Sequence, residues 1–207
     1  MDQTAHRFRK FDTSLVSDAL DEHGIDGVVT GLDPIHPDDY AVGRATTLRL
    51  APAEGEGATN FPAATFDAMA AGRMLVMDSL KGVSCWGGNA SKLGHAAGLA
   101  GVVTDGDVRD ADDIRAGDLP VFSDGTTPRT GQRRVEITAT NDPIGVGGVT
   151  VNPDDVVVAD VTGVVVVPGA EADAVADTAE ELLANEREIE DLIAEGATHE
   201  DLREFDF

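Results

Sequence analysis

Residues 85–110 decide the fold, and they read CWGGNASKLGHAAGLAGVVTDGDVRD. Gly87 and Gly88 stand where a helix begins, and small apolar residues then recur at helical spacing. The apolar run 100–103 is typical of a short buried strand. After it, residues 105–110 bring together three carboxylates and one guanidinium, and we expect them to form a loop. This stretch is therefore predicted to fold as loop, helix, strand and loop.

The polar cluster at residues 105–110 is a candidate ligand site, because open α/β sheets bind ligands at the carboxyl ends of their strands. The free N–H groups of a helix that begins near Gly88 and Asn89 would suit a carboxylate or a phosphate. A purely structural interpretation stays open. Asp-Gly is a common turn, and Asp110 could serve only as the N-cap of a helix that begins at Ala111.

The rest of the chain predicts further helices and strands. A helix capped by Asp12 or Thr13 is expected to end at Gly24, and a strand over residues 41–50 has Gly43 as a candidate bulge. We predict a long amphipathic helix from Glu171 to about Ala194. The other expected elements are a short helix at 61–71, two strands paired with each other at 133–139 and 145–151, and single strands at 74–78, 119–122, 156–158 and 164–167.

This order predicts the α/β class, as a single domain with a mixed sheet over residues 1–207. The core is expected at about residues 10–170, followed by the C-terminal helix at 171–195 and an acidic tail. Hydrophobic residues make up 42% of the chain but aromatic residues only 4%. The core must therefore be built from Val, Ala, Leu and Ile, as in the buried strands of α/β proteins.

The charge balance limits the partners that this protein can be expected to bind. There are 39 acidic residues against 15 basic ones, for a net charge of −24. Such a surface repels nucleic acids and anionic membranes, so neither is an expected partner. Because salt screens this repulsion, we interpret the chain as a halophilic protein. The N-terminus has no apolar signal-peptide core and no apolar run reaches membrane-spanning length, which predicts a cytoplasmic protein.

The sequence does not support several common kinds of functional site. The single cysteine, Cys85, has no partner for an internal disulfide, and no cysteine and histidine cluster has zinc-site spacing. We expect Cys85 to be a small buried residue. The glycines at 94, 98 and 101 lie within and after a helix rather than between a strand and a helix, which excludes a dinucleotide fingerprint.

The pair Arg109-Asp110 supports metal-assisted chemistry on a 2-oxo acid. Mg²⁺ or Mn²⁺ takes oxygen ligands, keeps several waters and needs only one or two carboxylates, so Asp110 could hold it directly or through water. The planar guanidinium of Arg109 matches a carboxylate or carbonyl oxygen of the substrate. Together with the helix N-terminus, these groups would stabilise an enolate as a C3–C4 bond breaks.

The run 86–110 resembles the RraA-like family, which includes the class II 4-hydroxy-4-methyl-2-oxoglutarate/4-carboxy-4-hydroxy-2-oxoadipate aldolases and the regulators of ribonuclease E activity. The similarity extends over about residues 10–170. It includes the segments at 13–21, 43–45, 74–78, 127–129, 147–153 and 160–164.

The resemblance implies an α/β/β sandwich that assembles as a homotrimer or a hexamer, with active sites at subunit interfaces. It implies a metal-dependent lyase that cleaves substrates of the 4-hydroxy-4-methyl-2-oxoglutarate type, decarboxylates oxaloacetate, or does both. Asp110 would anchor the metal and Arg109 would bind the substrate. The backbone of the glycine turn would cradle the pyruvyl carboxylate, at Gly87, Gly88, Asn89 and Ala90. The alternative is a non-catalytic trimer that binds a protein partner such as a ribonuclease.

One position departs from the family pattern. The family's signature is a glycine, three residues, an acid, twenty residues and then Arg-Asp, and this count places Gly88 where the acid is expected. In the aldolases of the family this acid is thought to orient metal-bound water. We expect Asp78, Asp105 or a carboxylate of a neighbouring subunit to take its place.

Overall fold

A mixed sheet of ten strands forms the centre of the computed structural model, which describes residues 2–55, 59–203 and 205. The helices are α1 (Gln3–Arg7), α2 (Thr13–Glu22), α3 (Ala63–Asp67), α4 (Gly88–Ala96), α5 (Ala111–Arg115) and α6 (Ala172–Ala194), with a 3₁₀ turn at Phe8–Lys10. The strands are β1 (Val28–Val29), β2 (Asp33–Pro34), β3 (Ala41–Pro52), β4 (Arg73–Asp78), β5 (Ser84–Trp86), β6 (Gly101–Val108), β7 (Val121–Thr126), β8 (Val135–Thr140), β9 (Ile144–Val146), β10 (Val149–Val151), β11 (Val156–Asp160) and β12 (Gly163–Val167).

The sheet runs in the order β1-β12-β11-β3-β4-β6-β7-β2. Its centre, β3-β4-β6-β7, is parallel, and β1, β12 and β11 continue it on one side as antiparallel strands. The crossover from β4 to β6 contains α4, and the one from β6 to β7 contains α5, as parallel neighbours require. The predicted α/β fold with a mixed sheet and a C-terminal helix is confirmed.

Aliphatic side chains fill three packed clusters around the sheet, as the composition predicts. One lies between the antiparallel strands and the layer of α1, α2 and α6, where Phe8 and Phe11 meet edge to face at 5.8 Å. Another lies under the β9–β10 hairpin. The third joins the parallel strands to α3, α4 and α5 and contains the buried Trp86. This third cluster fixes the helices on which the candidate site stands.

Helix α2 begins and ends where the local signals predict. The carboxylate of Asp12 accepts a hydrogen bond from the N–H of Leu15 at 2.8 Å, which caps the helix. Gly24 follows the last turn with φ at +66°, a conformation that glycine adopts without a steric cost. The predicted helix at 171–195 is also present, as α6.

Buried Asp160 ties the start of α2 to the turn between β11 and β12. Its carboxylate accepts hydrogen bonds from the N–H of Thr13 at 2.8 Å, from the hydroxyl of Thr13 at 2.7 Å and from the N–H of Thr162 at 2.8 Å. Burial alone would raise the pKa of Asp160, but these hydrogen bonds hold it below its ordinary value. The stability that they contribute is therefore present above the unfolded pKa of about 3.9 and is lost as the pH falls through the folded pKa.

We expect Asp160→Ala to lower the free energy of unfolding at neutral pH by about 2–4 kcal/mol, because it leaves buried donors without a partner. Urea denaturation followed by circular dichroism measures this change. Asp21→Ala, at an exposed position of α2, is the matched control and should stay within about 0.5 kcal/mol of the wild type. Equal stability of the two variants at neutral pH would show that these hydrogen bonds do not hold α2 in place.

The predicted pairing of the strands at 133–139 and 145–151 is wrong, and so is the predicted bulge at Gly43. Strand β8 pairs with β3, and residues 145–151 belong instead to the separate β9–β10 hairpin. The register shift in β3 lies between Arg49 and Leu50, so Gly43 is not a bulge. A Cβ atom at Gly43 would come within 2.7 Å of the Gly72 carbonyl oxygen, so this glycine allows a close approach of two backbones.

The prediction of a loop at 105–110 is also wrong for residues 105–108, which belong to β6. Strand β6 continues to Val108 because the carboxylates of Asp105 and Asp107 accept hydrogen bonds from the N–H groups of Ser79, at 2.8 Å, and Gly82, at 2.6 Å. These are contacts with the segment after β4, which local sequence does not reveal.

The predicted acidic tail falls partly outside the described residues, which leave out 204, 206 and 207. Within the described part of the chain, no helix combines the length and the apolar character needed to cross a membrane.

Candidate active site

The end of β6 and the start of α4 are adjacent because β5 pairs with the last residues of β6. Trp86 lies opposite Val108 in this pairing, and the N–H of Arg109 donates to the Trp86 carbonyl at 3.0 Å. The indole N–H of buried Trp86 donates to the Ser91 hydroxyl at 2.7 Å, which fixes the first turn of α4. The glycine turn and the Arg-Asp pair, 21 residues apart in the sequence, therefore meet in the fold.

A cleft of about 170 Å³ opens where they meet. Five of the six residues predicted for the site line it, namely Gly87, Asn89, Ala90, Arg109 and Asp110. The sixth, Gly88, borders it through its backbone, since its N–H lies 3.4 Å from an Asp110 carboxylate oxygen. The structure thus brings all six together, while their roles stay predictions.

Asp110 has a left-handed backbone, with φ at +56° and ψ at +42°. Apart from glycine, aspartate and asparagine adopt this conformation most readily, and Asp154 and Asn141 of this chain also have positive φ. Asp110 stands at the N-cap position of α5, yet its side chain makes no capping hydrogen bond there. Its carboxylate is directed instead across the cleft edge to α4, which disfavours the interpretation of Asp110 as only a cap.

The guanidinium of Arg109 keeps its hydrogen-bonding capacity for a ligand. Its Nε atom lies 3.4 Å from a carboxylate oxygen of Asp110, and both side chains are about 42% exposed. Within the described part of the chain, no protein group accepts a geometrically good hydrogen bond from this guanidinium. The planar donor fork of Arg109 is therefore available at the cleft.

Asp113 is the site residue that the sequence did not predict. A Cβ atom at Gly88 would lie 2.7 Å from the Cβ of Asp113 and 2.8 Å from its carboxylate oxygen Oδ2. The side chain of Asp113 thus occupies the space into which an acid at position 88 would project. No local sequence pattern signals this approach, because it depends on how α5 packs against α4.

The acids expected to replace the one at position 88 have other partners. Asp78 pairs with Arg49 at 3.2 Å. Asp105 accepts the hydrogen bond from Ser79 that extends β6, and its burial raises the pKa of its carboxyl group. Neither lines the cleft. The expectation that Asp78 or Asp105 takes this place is not supported by their positions.

The oxygen donors at the cleft and beside it fit a hard divalent cation. The Asp110 carboxylate lines the cleft against the N-terminus of α4, whereas the Asp113 carboxylate lies outside the lining, beside Gly88 and 3.7 Å from the ammonium group of Lys92. Among the described residues no cluster of three acidic, cysteine or histidine side chains has metal-site geometry. Two carboxylates with water suit Mg²⁺ or Mn²⁺, which keep several waters, but not a fully protein-caged ion.

Comparison with known proteins assigns the family. A family model named RraA-like and described as Aldolase/RraA matches residues 13–166. The chain belongs to the RraA-like family. The resemblance carried by residues 86–110 is thereby confirmed.

Two RraA-like relatives match most of this chain. Protein DlpA of Legionella pneumophila is 32% identical over 192 residues, which cover 91% of this chain but only 31% of that protein. This chain thus spans about a third of its length. A Halalkalibacterium halodurans protein named "Putative 4-hydroxy-4-methyl-2-oxoglutarate aldolase" is 32% identical over 193 residues, which cover 91% of this chain and 88% of that protein.

Solved structures share the RraA-like fold. The crystal structure of an uncharacterized protein from Pseudomonas syringae has a TM-score of 0.88 at 31% identity and covers 97% of this chain and 96% of that chain. RraAS2 of Streptomyces coelicolor, described as an unusual member of the RNase ES inhibitor RraA protein family, has a TM-score of 0.80 at 28% identity. The match covers 90% of this chain and 96% of RraAS2.

Cys85 contributes to the wall of the cleft but is buried, as predicted. Burial raises the pKa of its thiol, and its sulfur lies 3.3 Å from the hydroxyl of Thr104. The thiolate needed for nucleophilic attack is therefore disfavoured at neutral pH.

We expect iodoacetamide at neutral pH to leave the folded protein unmodified and to add one label after denaturation, as measured by intact mass. Rapid labelling of the folded protein would contradict the assignment of Cys85 as an inert packing residue.

Proposed function

We propose that this RraA-like protein is a divalent-metal-dependent lyase that releases pyruvate from a 2-oxo acid. The observation that carries the proposal is the left-handed Asp110, whose carboxylate points to the N-terminus of α4 instead of capping its own helix. A left-handed backbone that directs a carboxylate to the edge of a cleft beside an arginine is compatible with a functional site. The name of the relative from Halalkalibacterium halodurans, "Putative 4-hydroxy-4-methyl-2-oxoglutarate aldolase", supports the lyase class.

Asp110 and Asp113 would hold the metal, which when bound supplies a Lewis acid for an oxygen that becomes negative. The N–H groups of Asn89 and Ala90, in the first turn of α4, would bind the C1 carboxylate of the substrate. Arg109 would donate hydrogen bonds to the oxygen on C2.

Both candidate reactions lead to the same product. In oxaloacetate decarboxylation the C3–C4 bond breaks, CO₂ leaves, and the electron pair of that bond forms the enolate of pyruvate. In retro-aldol cleavage the C4 hydroxyl gives its proton to water, a carbonyl forms at C4, and the C3–C4 bond breaks so that its electron pair forms the same enolate. Arg109 stabilises the enolate oxygen in either case, and protonation at C3 then gives pyruvate.

The second candidate function is that of a non-catalytic regulator which binds a protein such as a ribonuclease. The 28% identity with RraAS2 favours this alternative, because that protein is described as a member of an RNase inhibitor family. The two functions make different demands on the cleft. A lyase needs Arg109 and both carboxylates, whereas a regulator can bind its partner through another surface.

Pyruvate release separates the two functions. The protein is incubated with oxaloacetate or 4-hydroxy-4-methyl-2-oxoglutarate in Mg²⁺, in Mn²⁺ or in EDTA, and lactate dehydrogenase with NADH reports pyruvate. Oxaloacetate decarboxylates slowly with free metal, so a reaction without protein is subtracted. We expect release that EDTA abolishes and added metal restores. No release from either substrate by folded protein would exclude the lyase function for these substrates and favour the regulator.

We further propose that the protein works in the cytoplasm, in concentrated salt, as a homotrimer or a hexamer. The net charge of −24 supports the salt requirement. Exposed Phe66 and Leu93 on the contacting helices α3 and α4 support an assembly that covers this face. Light scattering after gel filtration, in high and low salt, measures the mass. A monomer at high salt would contradict the proposed assembly.

A further inference from the structure

The connection between β7 and β8 is unusually basic for this protein. Its residues Arg129, Arg133 and Arg134 supply three of the 15 basic side chains within six positions, in a chain with 39 acidic residues. We call residues 127–134 the arginine loop. A cluster of like charges has an electrostatic cost, and in so acidic a protein nearby carboxylates would be expected to neutralise it.

The arginine loop borders the candidate cleft and is fixed against it. Thr130 and Gln132 line the cleft. The N–H of Ser84 donates to the Arg129 carbonyl at 2.8 Å, and Ser84 pairs with Thr130 in a parallel bridge. A side chain at Gly131 would collide with the Ser84 carbonyl. The loop is therefore fixed beside the cleft at Thr130 and Gln132, and Arg129 and Arg133 are their immediate neighbours in the chain.

These arginines have no ionic partner among the residues that the structure describes. Of the basic side chains in the described part of the chain, ten lie within 4.0 Å of a carboxylate, but Arg129, Arg133 and Arg134 do not. Arg134 braces the loop through a hydrogen bond to the Thr130 carbonyl at 3.2 Å. Arg129 and Arg133 are exposed. Their guanidinium groups are available to an anion from outside the chain.

A ligand with two negative groups would need a second cation at the cleft besides Arg109. Arg109 is the only cationic residue among those that line it in the described part of the chain. Phe61, Pro62 and Phe66 add apolar surface, which does not stabilise a charge. A carboxylate at the far end of a substrate would therefore find no second cation among these lining residues.

We propose that Arg129 and Arg133 bind the distal carboxylate of a 2-oxo dicarboxylate and so determine substrate specificity. The inference rests on the proposed function, which puts the 2-oxo acid end of the substrate at Arg109 and the glycine turn. A guanidinium binds a carboxylate through two parallel charge-assisted hydrogen bonds, which give both affinity and orientation. The loop thus selects dianionic over monoanionic 2-oxo acids.

A matched pair of ligands tests this without turnover. The five-carbon acids 2-oxoglutarate and 2-oxopentanoate differ only in a distal carboxylate or methyl group, and neither has a 4-hydroxyl group for retro-aldol cleavage. With Mg²⁺ present, calorimetry should show that the wild type binds 2-oxoglutarate about tenfold or more tightly than 2-oxopentanoate, as expected for charged hydrogen bonds.

The double variant Arg129→Gln/Arg133→Gln should lose this preference and keep its affinity for 2-oxopentanoate. Arg129→Lys/Arg133→Lys should restore part of it. Arg187→Gln, which removes an exposed arginine of α6 without an ionic partner among the described residues, is the control and should keep the preference. Circular dichroism and the melting temperature check that each variant is folded.

Three outcomes would overturn the inference: a wild type that binds the two acids equally, a wild type that binds neither, or a double variant that keeps the preference. The preference should also survive about 1 M salt, where the screening length is about 3 Å and only direct contact persists. Its disappearance there would also count against a direct contact. Pyruvate release by the same preparations tests the proposed function separately, so a wild type that is active but unselective refutes only the specificity assigned to the loop.

Discussion

Asp110→Asn is expected to abolish metal-dependent pyruvate release while it leaves the fold intact. Asparagine has nearly the same shape and also adopts the left-handed conformation seen at this position, with φ at +56°. It lacks the charge that holds a divalent cation. We expect the rate to fall by about a hundredfold or more, the scale of losing one charge-stabilising group in an active site.

The stability of Asp110→Asn should differ from that of the wild type by about 0.5 kcal/mol or less, because Asp110 is partly exposed and caps no helix. Asp112→Asn is the matched control, since Asp112 lies in the same segment with a fully exposed side chain. The lactate dehydrogenase assay measures both variants. Full activity of Asp110→Asn would remove the carboxylate from the proposed mechanism.

Substitutions at positions 88 and 113, singly and together, test whether Asp113 takes the place of an acid at position 88. Gly88→Asp alone should lose activity and about 1–3 kcal/mol of stability, because its Cβ would meet the Cβ of Asp113 at 2.7 Å. Asp113→Gly alone should lose activity because a carboxylate is gone. The double variant removes the clash and returns a carboxylate to the same space, so it should be more active than either single variant.

Together with the wild type, the two single variants and the double variant form a double-mutant cycle. We expect a coupling in activity of about tenfold or more, because losing a supporting group at a metal site costs about this much. Urea denaturation of the same variants separates the steric effect from the catalytic one. Simple additivity of the losses would show that positions 88 and 113 do not share one role.

Local sequence patterns predicted the elements that carry the site. The N-cap at Asp12, the glycine after α2 and the glycine pair before α4 each act within a few residues, so their effects can be inferred without tertiary contacts. The valine-rich segments at 156–158 and 164–167 were likewise recognisable as strands from local sequence, and they form β11 and β12. The meeting of the glycine turn with Arg109-Asp110 followed from the family resemblance and from the strand-end rule.

What the sequence did not predict depends on contacts between distant segments. Asp105 and Asp107 look like turn residues, but hydrogen bonds to Ser79 and Gly82 keep them in β6. The pairing of β8 with β3 joins segments that are far apart in the chain. The approach of Asp113 to Gly88 depends on how α5 packs against α4, which no local pattern reports.

Mn²⁺ binding tests the central claim most directly, because it does not depend on the substrate. Electron paramagnetic resonance measures free Mn²⁺ during titration of the wild type, Asp110→Asn and Asp112→Asn, at high salt so that the many surface carboxylates are screened. We expect one tight site per chain in the wild type and in Asp112→Asn, weakened about tenfold or more in Asp110→Asn. Equal affinity in all three proteins, or no tight site in the wild type, would contradict a metal-dependent lyase centred on Asp110.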